Sequence, residues 1–404
     1  LAASSVTCRF GQRVWLLERG YGVTALGPEG TERHEAPALI LAAGATERLL
    51  PTPGWTLPGV IGLAAATILL KAEGVLPGRR VVVAGTGPLL ALVAATILRH
   101  GGTVAAVVDA HPRRDWLRAT PALLARPDLL ARGATWLARI ATARVPMLAR
   151  HAVTAIEGEG RVQRVAIAPL DATGAPDRAA PPRHIEADAV CLGYGLIPAT
   201  EATRLLGARH VFDGARGGWV PEIDADQAMS LPGLFVCGDG AGIAGATAAP
   251  ISGRIAALAA ARYLGRPGAK GAPARLRASL ARAARFGRTM AALSTPPSGL
   301  LALATPETAV CRCESVTRAA IEQAIAAGAV TLNAVKVETR CGMGPCGGRF
   351  CAEATAMLIG HATGCDRATI APATSRPPLR PVPLGALTGT YRYDDLAIPE
   401  PGPP

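Results

Sequence analysis

Between Arg13 and Ala42 the apolar residues come in short alternating runs, RVWLL, GVTAL and ALILA, separated by the turn-forming stretches ERGYG and GPEG. Alternation at a period of two, broken by glycine and proline, predicts a small antiparallel meander. The pattern changes at LPGRRVVVAGTGPLLALVAATILRHGGTVAAVVDA (76–110). Here a β-branched run enters a glycine turn, an apolar helix follows, and a second apolar run ends at Asp109, which predicts one βαβ unit. Further along, EADAVCLGYGLIP (186–198) and LPGLFVCGDGAGIAGA (231–246) each read as a buried strand entering a glycine loop, and 252–264 reads as a helix.

Residues 266–300 are rich in alanine and arginine with proline and glycine at the edges, which suits a helical connector. Two short helices, SVTRAAIEQAIAAG and TLNAVKVET, then separate two groups of cysteines. The tail from Ala371 is too rich in proline for a helix and is expected to lie extended over the surface.

With 404 residues and 50% hydrophobic content the chain has material for two or three domains and a substantial core. The formal charge is +12, but only three of the 42 basic residues are lysines and the arginines are scattered, so no nucleic-acid face is expected. The longest apolar runs, 57–70 and 88–98, are shorter than the ~18–20 residues that span a bilayer, so no transmembrane segment is expected. The chain opens at Leu1 without a basic stretch ahead of a long apolar core; no secretory signal is expected and the start reads as cut. Clustered thiols without an export signal favour metal ligation or redox chemistry over a disulfide framework.

Three stretches carry candidate chemistry. In VVVAGTGPLL the strand enters Gly85 and Gly87, and the helix that follows points its free amides at the space over the turn, where a dinucleotide pyrophosphate fits. Asp109, 24 positions after Gly85, is placed to receive a ribose 2′-hydroxyl, although Leu90 stands where a third glycine is usual. Arg113 and Arg114 offer an alternative, a 2′-phosphate or another adenine nucleotide, and a further alternative is a unit kept as scaffold. The second stretch ends a buried strand at Gly238 and Asp239, a geometry that brings a carboxylate to a ribitol hydroxyl.

The third is the set Cys311, Cys313, Cys341, Cys346 and Cys351, five of nine cysteines within about forty residues. Two loops, one of them the glycine-rich CGMGPCGGRFC, bring thiolates to one point, and backbone amides of such a loop can approach the sulfides of an inorganic cluster. Four thiolates also suit zinc, but zinc sites usually present two CxxC knuckles and this chain has no CxxC. Cys8, Cys191, Cys237 and Cys365 stand alone and read as structural, and neither the dispersed histidines nor any Ser/His/Asp set suggests hydrolysis.

ILAAGATERLLPTPGWTLPGV, RRVVVAGTGPLL and LFVCGDGAG, in that order, resemble the two-dinucleotide flavin reductases of the thioredoxin-reductase-like type. The resemblance implies that Asp239, with Gly238, binds the flavin ribitol and that Ala43 and Gly44 lie near the FAD phosphates. It assigns Gly85, Gly87 and Asp109 to a second nucleotide, NAD(P) or another adenine nucleotide. That family opens with a βαβ unit holding the FAD pyrophosphate, which nothing before Arg13 supplies; either the sequence is truncated or the chain as given binds FAD poorly.

The cysteine module resembles the ferredoxin domain named after the bacterioferritin-associated ferredoxin, which uses CxC and a second pair after about thirty residues. The 32 residues between Cys313 and Cys346 match its long gap, which implies a [2Fe–2S] cluster on Cys311, Cys313, Cys346 and Cys351, with Cys341 as a substitute ligand.

The whole order of motifs, with CRCESVTR, TRCGMGPC and a closing RPPLRPVPLGAL, resembles the α-type subunits of heteromeric amino-acid dehydrogenases: opine oxidase, hydrogen cyanide synthase and the proline or hydroxyproline dehydrogenase complexes.

The fold class this implies is α/β, a two-dinucleotide-binding-domain flavoprotein of Rossmann-like units lacking the first FAD βαβ, plus a small helical [2Fe–2S] domain. The expected division is 1–72 and 186–265 for the FAD part, 73–185 for the NAD(P)-like domain, 266–304 for the connector, 305–368 for the cluster domain and 369–404 for the tail. Function follows as an expectation: a cytoplasmic or peripheral inner-membrane electron-transfer subunit. It would work beside a glycine-oxidase-like β-type flavoprotein that oxidises the amine, with an acceptor such as a quinone. A self-sufficient NAD(P)H-dependent reductase and a non-catalytic scaffold are the alternatives.

Overall fold

The computed structural model describes residues 5–267 and 271–387. The centre of the molecule is a five-stranded, all-parallel sheet in the order Val60–Gly62, Ala189–Gly193, Arg80–Gly85, Thr103–Asp109, Met147–Ala149. Strands buried on both faces read as unbroken apolar runs, which is why VVVAG and VAAVVD show no alternation. Their side chains nonetheless go to two different cores. Val81, Val83, Val107 and Cys191 face Leu63, Leu90, Val93 and Ile97 of the helices. Val82, Ala84, Ala106, Val108, Val190 and Leu192 face Val153, Ile156, Val165, Ile167 and Ile185 of an antiparallel sheet, His151–Glu157, Arg164–Pro169 and Arg183–Glu186. The period-two pleat thus sorts alternate residues of one run into two cores.

Leu90 is 3% exposed and packs in the helix-side core, so the residue that breaks the glycine fingerprint is a core residue of the helix Leu89–Arg99.

The meander differs from the sequence expectation in its third strand. Arg13–Leu17 and Gly22–Gly27 pair antiparallel, but their partner is the polar Gly30–Glu35. The apolar Leu39–Leu41 instead runs parallel to Leu234–Val236, with Leu39 opposite Leu234 and Leu41 opposite Val236. A charged strand, GTERHE, is suited to a solvated edge, whereas LIL pairs with the apolar strand LFV. Two antiparallel crossing strands, Ala45–Glu47 and Leu196–Pro198, join this flavin-assigned part to the parallel sheet.

The connector helix Ala274–Ala292 starts beside the helix Ala248–Tyr263, and its Gly287 is forced by the carbonyl of Ala244, which a Cβ there would overlap. Past the cysteine module, 371–383 contains no helix or strand and crosses back to the meander, where Leu379 N–H donates to Trp15 O at 2.7 Å. The expected extended tail beyond 387 lies outside the described residues. No helix among the described residues is long and apolar enough to cross a membrane.

Gly85 marks the tightest point of the parallel sheet. Its φ is 141°, and a Cβ on it would overlap the carbonyl oxygen of Gly193 on the adjacent strand. Gly85→Ala should cost about 3 kcal/mol or more, from backbone strain together with overpacking. Urea unfolding of the purified variant checks this, and a loss below about 1 kcal/mol would show that the two strands can move apart.

Candidate functional site

The cysteine module is built on a hairpin and three helices. Cys311 ends the strand Ala309–Cys311, and Cys313 lies in the turn before Val316–Thr317. The helix Arg318–Ala326 is N-capped by Thr317, and Leu332–Thr339 by Thr331, each hydroxyl accepting from a backbone N–H in the first turn. Arg340 ends the second of these in the left-handed region, φ 64°, and so turns Cys341 back towards the hairpin. Cys351 opens the helix Ala352–Thr363. Val310, Ile321, Leu332, Val335, Leu358 and Ile359 form a core of their own beneath the thiols.

The Sγ atoms of Cys311, Cys341 and Cys351 lie within 4.8 Å of one another and all three residues are buried. Cys313 and Cys346 touch each other, and Cys313 also feels the charge of Cys311, so this pair lies next to the trio. A Cβ on Gly344 would overlap that of Cys313, which is why the loop needs glycine there. Hydrogen bonds from the Cys341 and Cys351 thiols, with the Gly342 and Glu314 amides, hold the Cys311 thiol far below its ordinary value. Hydrogen bonding to Cys311 pushes Cys351 far up and Cys341 to about 11. Several soft donors close together, with backbone amides aimed at sulfur, are what an iron–sulfur cluster requires.

Of the four expected ligands, Cys311 and Cys351 thus stand in the tight trio with Cys341, and Cys313 and Cys346 stand beside it.

Two arginines within the cysteine loops dock the module. Arg312 lies between Trp55, 5.7 Å from its ring centroid, and Phe350, 4.9 Å from its centroid, while Trp55 Nε1–H donates to Ala309 O at 2.6 Å. Arg349 pairs with Glu201 at 2.6 Å and donates to Cys346 O at 2.6 Å and to Leu379 O at 2.9 Å. A cavity of about 210 Å³ remains between the two parts. Cys341 and Cys351 are on its wall, as are Thr46 and Ile197 of the crossing strands.

The flavin-assigned residues also come together. Gly44 has φ 72° with open space where a Cβ would project, and a Cβ on Gly240 would lie 3.4 Å from both N and O of Gly44 and 3.6 Å from Ala43 N. Gly238 turns the chain at φ 68°, and Asp239 Oδ1 accepts from Ala244 N at 2.9 Å and Gly245 N at 2.8 Å. Those bonds fix the carboxylate and leave Oδ2 without a protein donor among the described residues. A close backbone approach of small residues beside an oriented carboxylate fits the ribitol and phosphate portion of a flavin nucleotide.

The glycine turn is different. Both carboxylate oxygens of Asp109 are engaged, Oδ1 by His111 N at 2.9 Å and Oδ2 by Trp116 Nε1 at 3.0 Å, and burial pushes its carboxyl up. A Cβ on Gly87 would overlap Ser294 Oγ of the connector. The lone thiols divide: Cys191 and Cys237 are buried as expected, whereas Cys8 and Cys365 are exposed.

Sequence reasoning missed Glu47 and Arg48, both buried at the crossing of the two parts. Glu47 Oε1 accepts from Ala64 N at 2.9 Å, and Arg48 donates to Tyr194 O and Gly217 O, each at 3.3 Å. The signal was two adjacent charges, ATER, inside an otherwise apolar stretch.

The flavin-assigned residues and the thiol group together define a flavo–iron–sulfur oxidoreductase, and the comparisons agree. Residues 2–270 match the pyridine nucleotide-disulphide oxidoreductase model and 309–361 match the BFD-like [2Fe-2S] binding domain. The chain belongs to the pyridine nucleotide-disulphide oxidoreductase family and is an FAD-dependent oxidoreductase with a C-terminal [2Fe–2S]-binding module. It is 38% identical over 372 residues to the A-type subunit of opine oxidase from Rhizobium meliloti, covering 91% of this chain and 68% of that protein. It is 35% identical over 382 residues to hydrogen cyanide synthase subunit HcnB of Pseudomonas aeruginosa, covering 93% and 79%. The L-proline dehydrogenase of P. horikoshii shares the fold, with a TM-score of 0.66 at 19% identity over 93% of this chain and 64% of that one.

Burial raises the Glu47 carboxyl from 4.5 to about 7. Below pH 4.5 it is protonated folded or unfolded, so burial of charge costs nothing. As pH rises towards 7 the unfolded chain ionises first and stability falls, then levels off. Glu47→Gln should therefore gain stability relative to the wild type by up to about 3 kcal/mol between pH 5 and pH 8. Denaturant titrations of both proteins at the two pH values check this, and a difference that does not change with pH contradicts it.

Proposed function

We propose that the chain is the electron-transfer subunit of a heteromeric amino-acid or opine dehydrogenase. A separate subunit resembling glycine oxidase removes electrons from the amine, and this chain passes them to an acceptor other than oxygen, such as a quinone. The observation that carries the reading is the docking of the thiol group against the flavin-assigned part, with the Cys341 and Cys351 wall facing Thr46 and Ile197 across one small cavity. Support also comes from the relatives, which are subunits of opine oxidase and of hydrogen cyanide synthase.

When bound, flavin accepts an electron pair and a [2Fe–2S] centre accepts electrons singly, so the pair converts two-electron oxidation into one-electron traffic. The chain's own residues provide the setting. Asp239, whose Oδ1 is held by the amides of Ala244 and Gly245, would hold the ribitol, and Ala43, Gly44 and Gly238 would let the backbone approach the phosphates. Cys311, Cys313, Cys346 and Cys351 supply the thiolates, with Cys341 as the alternative to one of them. Arg312, beside the rings of Trp55 and Phe350, places a positive charge next to the cysteines.

The chain is co-produced with its amine-oxidising partner and purified anaerobically. Iron at two per chain is expected, together with an electron paramagnetic resonance signal after dithionite. Cys346→Ser should abolish that signal and Cys341→Ser should retain it. Loss in Cys341→Ser alone would move the ligand to the buried trio, and zinc in place of iron would remove the relay. The electron-transfer role predicts that amine substrate bleaches the complex but not this chain alone.

A further inference from the structure

In a βαβ unit the ligand sits over the turn between the first strand and its helix, at the carboxyl ends of the strands. In this chain that place is filled. Ser294, two residues past the connector helix, lies so close over the turn that a Cβ on Gly87 would overlap its Oγ and stand 2.9 Å from its Cβ. Thr86 Oγ1–H donates to Ser294 O at 2.7 Å. The turn's own donors are reduced as well: Thr86 N–H donates to Gly193 O at 3.0 Å, and Pro88 has no N–H.

The ribose end is closed by the same segment. Asp109 receives His111 N and Trp116 Nε1, and His111 Nε2 lies 2.9 Å from the carbonyl oxygen of Thr295.

The segment is also anchored on both sides. Leu293 is buried, Leu300 and Leu303 enter a core with Leu50, Leu170 and Tyr194, and Pro297 packs where Gly174 has no side chain. A Cβ on Gly195 would stand 2.7 Å from Ser294 O. Each glycine that reads as a nucleotide fingerprint therefore has an internal reason: Gly85 accommodates Gly193, and Gly87 accommodates Ser294.

We infer that Leu293–Thr295 determines donor specificity by occupying the seat of the second nucleotide, so that this unit takes neither NADH nor NADPH. The Rossmann unit then serves to bind the connector, and reducing equivalents enter by another route. The inference concerns the glycine turn alone and stands whether or not the partner proposed above exists.

The test uses the full chain with its flavin and cluster, alone and again co-produced with the proposed partner. NADH and NADPH are titrated anaerobically to millimolar levels, with flavin absorbance and calorimetric heat read out. Hydrogen exchange is followed at the amides of Thr86, Ser294 and Thr295 with and without nucleotide. No bleaching, no saturable heat and slow, nucleotide-independent exchange at these amides are expected. Saturable binding of either nucleotide would overturn the inference, as would exchange at Ser294 and Thr295 as fast as in an unstructured peptide. Reduction of the same sample by amine substrate is a separate reading, so failure of the partner proposal leaves a different trace from failure of this one.

Discussion

The position of the sulfurs depends on one largely shielded ion pair. Arg349 sits inside the cysteine loop, between Cys346 and Cys351, yet its partner Glu201 belongs to the flavin-assigned part. Both side chains are well shielded, 14% and 17% exposed, so removing one leaves the other in a poorly solvated place, with Arg204 still nearby to act on Glu201. Breaking such a pair typically costs about 3–5 kcal/mol. Because Arg349 also donates to the carbonyl of Cys346, the pair registers the ligand loop itself and not merely the helices behind it. On the opposite side Arg312 does the same for the CxC hairpin, through π faces that belong to different parts of the molecule, Trp55 and Phe350. Both contacts hold the cysteine loops against the flavin-assigned part.

A second constraint acts at the crossing strands. Glu47 and Arg48 are adjacent, buried, and turned to different neighbours. Glu47 meets the amide of Ala64 at the start of a helix against the parallel sheet, and Arg48 meets carbonyls of Tyr194 and Gly217. Gly62 and Gly193 exist to make room for the Glu47 carboxylate, since a Cβ on Gly62 would overlap its Oε2 and one on Gly193 would stand 2.6 Å from Oε1. Packing that depends on two glycines around one carboxylate ties the crossing rigidly to the parallel sheet. The same carboxylate has a physical cost when ionised, which is the ordinary exchange of stability for a defined geometry at a site.

How much of this was legible depends on range. The βαβ unit from Arg80 to Asp109 was readable because period and turn chemistry are local, and the cysteine spacing was readable because two loops and two short helices separate the thiols in a recognised way. The destination of Leu39–Leu41 was not. An apolar triplet states only that it will be buried in a sheet, and its partner, Leu234–Val236, lies almost two hundred residues away. The place of Cys341 among the sulfurs was half-readable: spacing set it aside from the ligands, while the left-handed Arg340 swings it into contact with Cys311 and Cys351. Asp109 shows the opposite error of emphasis. Its position at a strand end is what a ribose ligand would have, and only the folded chain shows its oxygens meeting His111 and Trp116.

The connector explains why a fingerprint can survive without its ligand. A Gly-x-Gly turn is selected by whatever must approach the backbone closely, and a serine from the same chain imposes the same steric demand as a phosphate. The third position of the fingerprint serves helix–strand packing instead, and Leu90 fills it because its neighbours, Leu63, Val83 and Val93, leave an apolar gap that a leucine closes. The connector then continues into Leu300 and Leu303 and so to the cysteine hairpin at Ala309. Anything large enough to occupy the turn would have to lift Ser294, and the strain would pass along some fifteen residues to the strand that carries Cys311. A chain wired in this way gains a rigid mount for its sulfurs by giving up a second nucleotide.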